Sequence, residues 1–214
     1  FELICKSLQP RALYLNPTLQ NPTAGTISAA RREALADVAL RYSIPIIEDD
    51  AYAHLAADAP PPLATLAPEL CYYLTGFSKC LGAGLRVAYV AAPDARKAQR
   101  LAGALRGATV MASPLTVALA TRWVEDGSAQ AMLAATRRES ALRQALAAAR
   151  LPLDDAAAPR DGFHLWLPLP APWSGIEFAS HLRSLGVGVV ASPAFCIDGA
   201  PPEAVRICLG GPAN

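Results

Sequence analysis

At 214 residues, with 53% hydrophobic and 17% charged residues, the chain has enough apolar content for one large core or two modest ones, and its composition excludes a disordered protein. A net charge of +1 without a basic block leaves no electrostatic footprint for nucleic acid, and no apolar stretch approaches the length of a membrane span. The five cysteines are odd in number, widely spaced and lack a C-x-x-C pair, which favours reduced thiols in the cytoplasm over disulfides or zinc. His54, His164 and His181 are scattered, form no helical i, i+4 pair and are read as ordinary surface or supporting residues, so no metal site is expected.

Phe1-Glu2-Leu3-Ile4-Cys5-Lys6 is neither a signal peptide nor an initiating methionine, so the chain is expected to begin inside a longer protein. A short apolar strand is predicted at 12–15. Ser28 caps a helix running to about Tyr42, on which Arg31 and Arg32 are expected to form a solvated face. A strand at 44–47 completes a βαβ unit, the building block of a parallel sheet. Residues 53–70, rich in Ala and Pro, are expected to be loop; strands follow at 71–75 and 86–91.

Helices are predicted at 94–106, 114–125 and 128–149. Asp126-Gly127 separates the last two and divides the chain into domains 1–126 and 127–214. The second domain has an α+β pattern, with strands at 162–167, 187–191 and 204–209 and a helix at 175–185.

Ligands of open α/β sheets bind outside the carboxyl ends of the strands. Three predicted strand ends deliver polar groups there. The first leads into Asn16-Pro17-Thr18-Leu19-Gln20-Asn21-Pro22-Thr23, the second into Glu48-Asp49-Asp50-Ala51-Tyr52, and the third into Ser78-Lys79. By itself the first is a turn, the second a solvated strand exit and the third a surface lysine. Lys79, however, is one of only three lysines and lies between an apolar strand and the small-residue turn Leu81-Gly82-Ala83-Gly84, followed by Arg86. A primary amine so placed suits an aldehyde cofactor held as a Schiff base. In this order the three segments favour chemistry over three unrelated surface features.

The order and spacing resemble the fold type I aminotransferases that use pyridoxal 5′-phosphate (PLP), over nearly the whole chain. Finer detail resembles the aminotransferase-like domain of MocR-type regulators, a branch of the GntR transcription factors. The similar stretches are Pro17 to Thr23 with Ser28 and Arg31-Arg32, Ile47 to Tyr52, Phe77-Ser78-Lys79-Cys80-Leu81, and Gly84-Leu85-Arg86-Val87-Ala88-Tyr89. Trp123 to Gly127, His164 to Pro170 with Pro172-Trp173, and Pro201 to Gly210 complete the match.

The resemblance implies an α/β fold, an incomplete and mostly parallel sheet with helices, plus a smaller α+β C-terminal domain. It implies PLP as cofactor of the complete protein. Lys79 would carry the Schiff base, Asp49 would pair with the pyridine nitrogen, and Asn21 and Tyr52 would hydrogen-bond the phenolic oxygen. Ser78 and Arg86 would bind the phosphate, and Arg206 the substrate α-carboxylate. By sequence alone Asp50 is a near-equal alternative to Asp49.

The expected function is that of an effector domain in a transcriptional regulator, a homodimer sensing an amino acid or vitamin-like molecule. DNA would be bound only through a winged helix-turn-helix outside this chain. The alternative is a free-standing amino-acid aminotransferase.

Two departures from the family pattern stand out. Gly76 occupies a position, three residues before the lysine, where Ser or Thr is frequent, so Thr75 substitutes or one phosphate contact is lost; Ala83 replaces a usual proline. The resemblance further implies a fragment, starting after the first strands of the large domain and after a phosphate-cradling helix N-terminus, and stopping at Gly210-Gly211-Pro212-Ala213-Asn214 before a last helix.

Overall fold

The computed structural model describes residues 1–151 and 161–211; Pro212, Ala213 and Asn214 lie outside the described residues. The chain forms two compact units. The first comprises Phe1–Thr18 and Thr26–Thr136, the second Leu19–Gly25 and Arg137–Asn214.

The first unit opens with α1 (Glu2–Leu8), a short helix for which no periodic signal exists in so few residues; a Glu2–Lys6 ion pair of 3.1 Å bridges its turns. Strands β1 (Leu13–Leu15), β2 (Ile46–Asp49), β3 (Cys71–Gly76) and β4 (Ala88–Ala91) form one sheet in that order. The β1–β2 and β2–β3 pairs are parallel and β3–β4 is antiparallel, in agreement with the mostly parallel α/β expectation. Helix α2 (Ala29–Tyr42) starts where Ser28 was predicted to cap it, the Ser28 hydroxyl accepting from the Arg31 amide at 3.3 Å.

The core of this unit gathers Ala36 and Ala39 of α2, Ile46 of β2, Cys71 of β3, and Leu63 and Ala67 from the segment between those strands. That segment, expected to be loop, contains two 3-10 turns, Ala53–Leu55 and Leu63–Thr65. The second forms against a buried carboxylate, described below, that periodicity cannot reveal.

Arg32 departs from expectation. It is not on a solvated face but wholly buried, because four hydrogen-bond acceptors and the Glu48 carboxylate, from four segments in all, surround its guanidinium. His164, read as a surface or supporting residue, is buried and packed edge-on against Phe163.

Strand β4 starts two residues later than predicted, since Arg86 takes a left-handed conformation (φ 50°) that interrupts extension. Helices α3 (Ala95–Thr109) and α4 (Pro114–Glu125) follow, α3 capped by Asp94 through the Lys97 amide at 2.7 Å and α4 opened by Pro114. Gly127 (φ 82°) turns the chain into α5 (Ser128–Ala148), within which the two units divide. Among the described residues no helix is long and apolar enough to cross a membrane.

The second unit is an antiparallel sheet of β5 (His164–Pro168), β7 (Ala204–Cys208) and β6 (Val190–Ala191), in that order, with α6 (Gly175–Ser184) packed on it. Leu167, Ala179, Val189 and Val205 form its core. A capping box between Ser174 and Glu177 fixes the start of α6. Gln144 of α5 donates to the carbonyls of Gly162 and His164, tying that helix to the β5 entry. Leu19 packs at 3.1 Å from where a Gly162 side chain would begin, which seats the Leu19–Gly25 loop on this unit.

Candidate functional site

In the first unit the parallel register places the ends of β1, β2 and β3 side by side. Leu15 pairs with Glu48, and Asp49 pairs with Leu74, so the residues just beyond β1 lie beside the end of β2. Strand alternation then decides which carboxylates face where: Ile46, Glu48 and Asp50 are buried, whereas Ile47 and Asp49 are partly exposed. Asp49 lines a cleft of about 140 Å³ together with Thr75, Ser78 and Lys79. Asp50 is not among the residues lining it, which separates by geometry two aspartates that the sequence left nearly equivalent.

Tyr52, buried, lies beneath the Lys79 ammonium, whose Nζ is 5.5 Å from the ring centroid. The chain's other two lysines are ion-paired, Lys6 to Glu2 at 3.1 Å and Lys97 to Asp94 at 2.9 Å. Among the described residues, Lys79 has no such carboxylate partner. Arg86, exposed at the end of the 3-10 turn Ala83–Leu85, is not part of the cleft lining, although the next two residues, Val87 and Ala88, are.

Two residues beside Asp49 were not singled out from the sequence. The Tyr14 hydroxyl donates to Asp49 Oδ2 at 2.8 Å, and the Asn16 side-chain amide donates to the Asp49 carbonyl. Hydrogen bonding to Asp49, then burial, pushes Tyr14 up to about 12, so it remains a donor at neutral pH. Their signal was register: Tyr14 lies in β1, the strand paired with β2, and Asn16 directly follows it, a fact available only once pairing is known.

Gly76 closes against β4. A Cβ there would sit 2.8 Å from the Val87 carbonyl oxygen and 3.1 Å from Ala88 Cα, so the β3–β4 pairing leaves no room for the Ser or Thr expected from the resemblance. Thr75 supplies the neighbouring hydroxyl, 3.0 Å from His54 Nε2. Gly76→Ala is expected to lose about 1–3 kcal/mol, because backbone rather than a movable side chain obstructs the new methyl. Urea denaturation measures it, and an unchanged midpoint and slope would contradict the close approach.

In the second unit Asn21 and Arg206 meet. Arg206 Nη1 donates to Asn21 Oδ1 at 2.6 Å, and its guanidinium carbon lies 4.9 Å from the Phe195 ring centroid. Arg206 Nε is buried and has no hydrogen-bond partner among the described residues. A buried guanidinium donor without an acceptor is costly, and a carboxylate is a group able to satisfy it.

The sequence matches the family of class I and II aminotransferases over residues 5–214. It is 32% identical over 212 residues to the uncharacterized HTH-type transcriptional regulator YdeF of Bacillus subtilis, covering 99% of this chain and 46% of that protein. It is 33% identical over 201 residues to the vitamin B6 salvage pathway transcriptional repressor PtsJ of Salmonella typhimurium, covering 93% of this chain and 46% of the repressor. The chain therefore spans about half the length of these curated relatives.

Among solved structures, LysN, the alpha-aminoadipate aminotransferase of Thermus thermophilus complexed with N-(5'-phosphopyridoxyl)-L-leucine, superposes with a TM-score of 0.85 at 27% identity, over 97% of this chain and 56% of the enzyme. With a match from residue 5 to the end and a superposition of that quality, the chain belongs to the class I and II aminotransferase family.

Proposed function

We propose that this chain is the PLP-binding part of an aminotransferase-like effector domain in a GntR/MocR-type transcriptional regulator. The observation that carries the cofactor reading is the convergence of Lys79, Ser78 and Asp49 on one cleft, with Tyr52 beneath the lysine. The residues fit the group. An aldehyde needs an amine, a pyridinium nitrogen needs a carboxylate, and a phosphate needs donors such as Ser78 and the nearby Arg86. When bound, the cofactor supplies an electron-withdrawing ring to an amine ligand.

Asp49, held by Tyr14 and Asn16, would keep the ring nitrogen protonated. Within the second unit, Arg206, oriented by Asn21 and Phe195, would take a carboxylate through its unsatisfied Nε. The ligand is then an amino acid or a vitamin-like amine, and the protein a cytoplasmic homodimer that reaches DNA through a winged helix-turn-helix outside this chain. The regulator reading is supported by the 99% coverage of this chain by YdeF and the 93% coverage by PtsJ.

The second reading, an amino-acid aminotransferase, is supported by the superposition on LysN. Turnover separates them. In the full-length protein, PLP-dependent conversion of an amino acid with a 2-oxo acid acceptor favours the enzyme. Cofactor binding without turnover, together with DNA binding that responds to PLP, favours the regulator.

A further inference from the structure

Behind the Lys79 cleft lies a buried polar chain that the proposed function does not use. Arg32, Thr18 and Asp50 are 0%, 0% and 2% exposed, so each must find partners inside the protein. Arg32 Nη2 donates to Thr18 Oγ1 at 2.9 Å, and the same guanidinium donates to the carbonyls of Ile27 (3.0 Å), Pro61 (3.2 Å) and Pro17 (3.3 Å). A hydroxyl that accepts from a guanidinium has its single proton left to give, and the neighbouring Asp50 carboxylate, whose ionised form Thr18 favours, can take it at Oδ2, while its Oδ1 is buried without a hydrogen-bond partner among the described residues. The order arginine, hydroxyl, carboxylate thus has one direction.

Asp50 is also fixed along its main chain. Its amide donates to the carbonyl of Leu74, a cleft-lining residue, at 2.9 Å, and its carbonyl accepts from Ala53 at 3.1 Å across the turn that carries Tyr52. Two residues back, Glu48 is held on the same buried side by the amides of Leu63 and Ala64, each at 2.9 Å. A one-residue slip of β2 would turn Glu48 and Asp50 toward the cleft and Asp49 away from it. The buried contacts of Glu48 and Asp50 oppose that slip.

We propose that Arg32 and Thr18 are positioning residues for the candidate site, which act through Asp50 to hold the exit of β2 so that Asp49 faces the Lys79 cleft. This inference rests on the reading of that cleft as a PLP site. Neither residue touches the cleft. Their effect is on where Asp49 points, and so on how tightly and in what orientation the cofactor is held.

The test is titration of PLP into the full-length protein, followed by absorbance and by the visible circular dichroism of the bound cofactor. Thr18→Val, which keeps the shape and loses the hydroxyl, is expected to weaken binding roughly tenfold, as loss of a supporting hydrogen bond behind a ligand group does, and to diminish the dichroic band. Thr18→Ser, which restores the hydroxyl, is expected to bind as the wild type does. A purely packing role would not distinguish the two in this way.

Wild-type affinity and dichroism in Thr18→Val, or a Thr18→Ser as weak as Thr18→Val, overturns the proposal. Should Thr18→Val fail to fold, Asp50→Asn gives the same comparison: weakened binding is expected, and wild-type binding overturns the proposal. Absence of PLP binding by the wild type overturns the cofactor reading itself, an outcome visible before any variant is made.

Discussion

Lys79→Ala is expected to abolish covalent attachment of PLP. Borohydride reduction of the wild-type protein incubated with PLP should fix the cofactor mass on the peptide containing Lys79, and the variant should show none. Lys6 and Lys97, each paired to a carboxylate on its own helix or cap, serve as internal controls in the same digest. Loss of the covalent bond is expected to weaken retention on the order of a hundredfold, equivalent to about 2.7 kcal/mol. Lys79→Arg separates charge from nucleophilicity: the guanidinium keeps a cation over Tyr52 but is not deprotonated in proteins, so it too should give no adduct. An adduct that persists on another lysine would sink the assignment.

Arg32→Met is expected to cost about 3–5 kcal/mol of folding stability, among the largest effects of any single change in the first unit, because it leaves buried carboxylates without their cation. Three carbonyls and the Thr18 hydroxyl also lose their donor. The Arg32–Glu48 approach of 3.8 Å is too long for a hydrogen bond, and Glu48 depends chiefly on the Leu63 and Ala64 amides; Asp50 loses the Coulombic attraction of the guanidinium and the donor behind Thr18.

The pH dependence of that loss has a definite sign. Burial holds Asp50 above the ordinary 3.8 against the opposing pull of Thr18 and Arg32, and holds Glu48 above 4.5 against its two amides. A carboxylate raised in the folded state binds more protons folded than unfolded, so its ionisation removes stability as pH rises past the unfolded value. Without Arg32 the Asp50 value rises further. The deficit of Arg32→Met should be largest near neutral pH, shrink as pH falls through the raised folded-state values, and be smallest below 3.8. Chemical denaturation of both proteins across that range measures it, and a deficit that grows on acidification would contradict the buried-carboxylate account.

Local signals carried much of the architecture. Ser28 and Asp94 announce helix starts because a side-chain oxygen within reach of a free amide is a local device, and Gly127 marks a turn for an equally local reason. The strands at β2 and β3 follow from short apolar runs. What escaped was whatever depends on a partner distant in sequence. Arg32 looks solvated on a helical wheel, yet Pro61 and Thr18, 29 and 14 residues away, enclose it. The Leu63–Thr65 turn looks like loop until Glu48 is placed under its amides.

For the candidate site, Lys79 stands out by its place between an apolar strand and a small-residue turn, whereas Ser78, Asp49, Tyr52, Asn21, Arg86 and Arg206 were nominated through the resemblance to the aminotransferases, a family to which the match over residues 5–214 assigns the chain. Only the tertiary structure decided which aspartate faces the cleft, that Tyr14 and Asn16 hold it, and that Gly76 is imposed by the approach of β4. It also decided that Asn21 meets Arg206, across 185 residues of chain. The reason is physical. Capping and periodicity are properties of neighbours along the chain, whereas facing, burial and close approach follow from strand register and from what packs behind each strand.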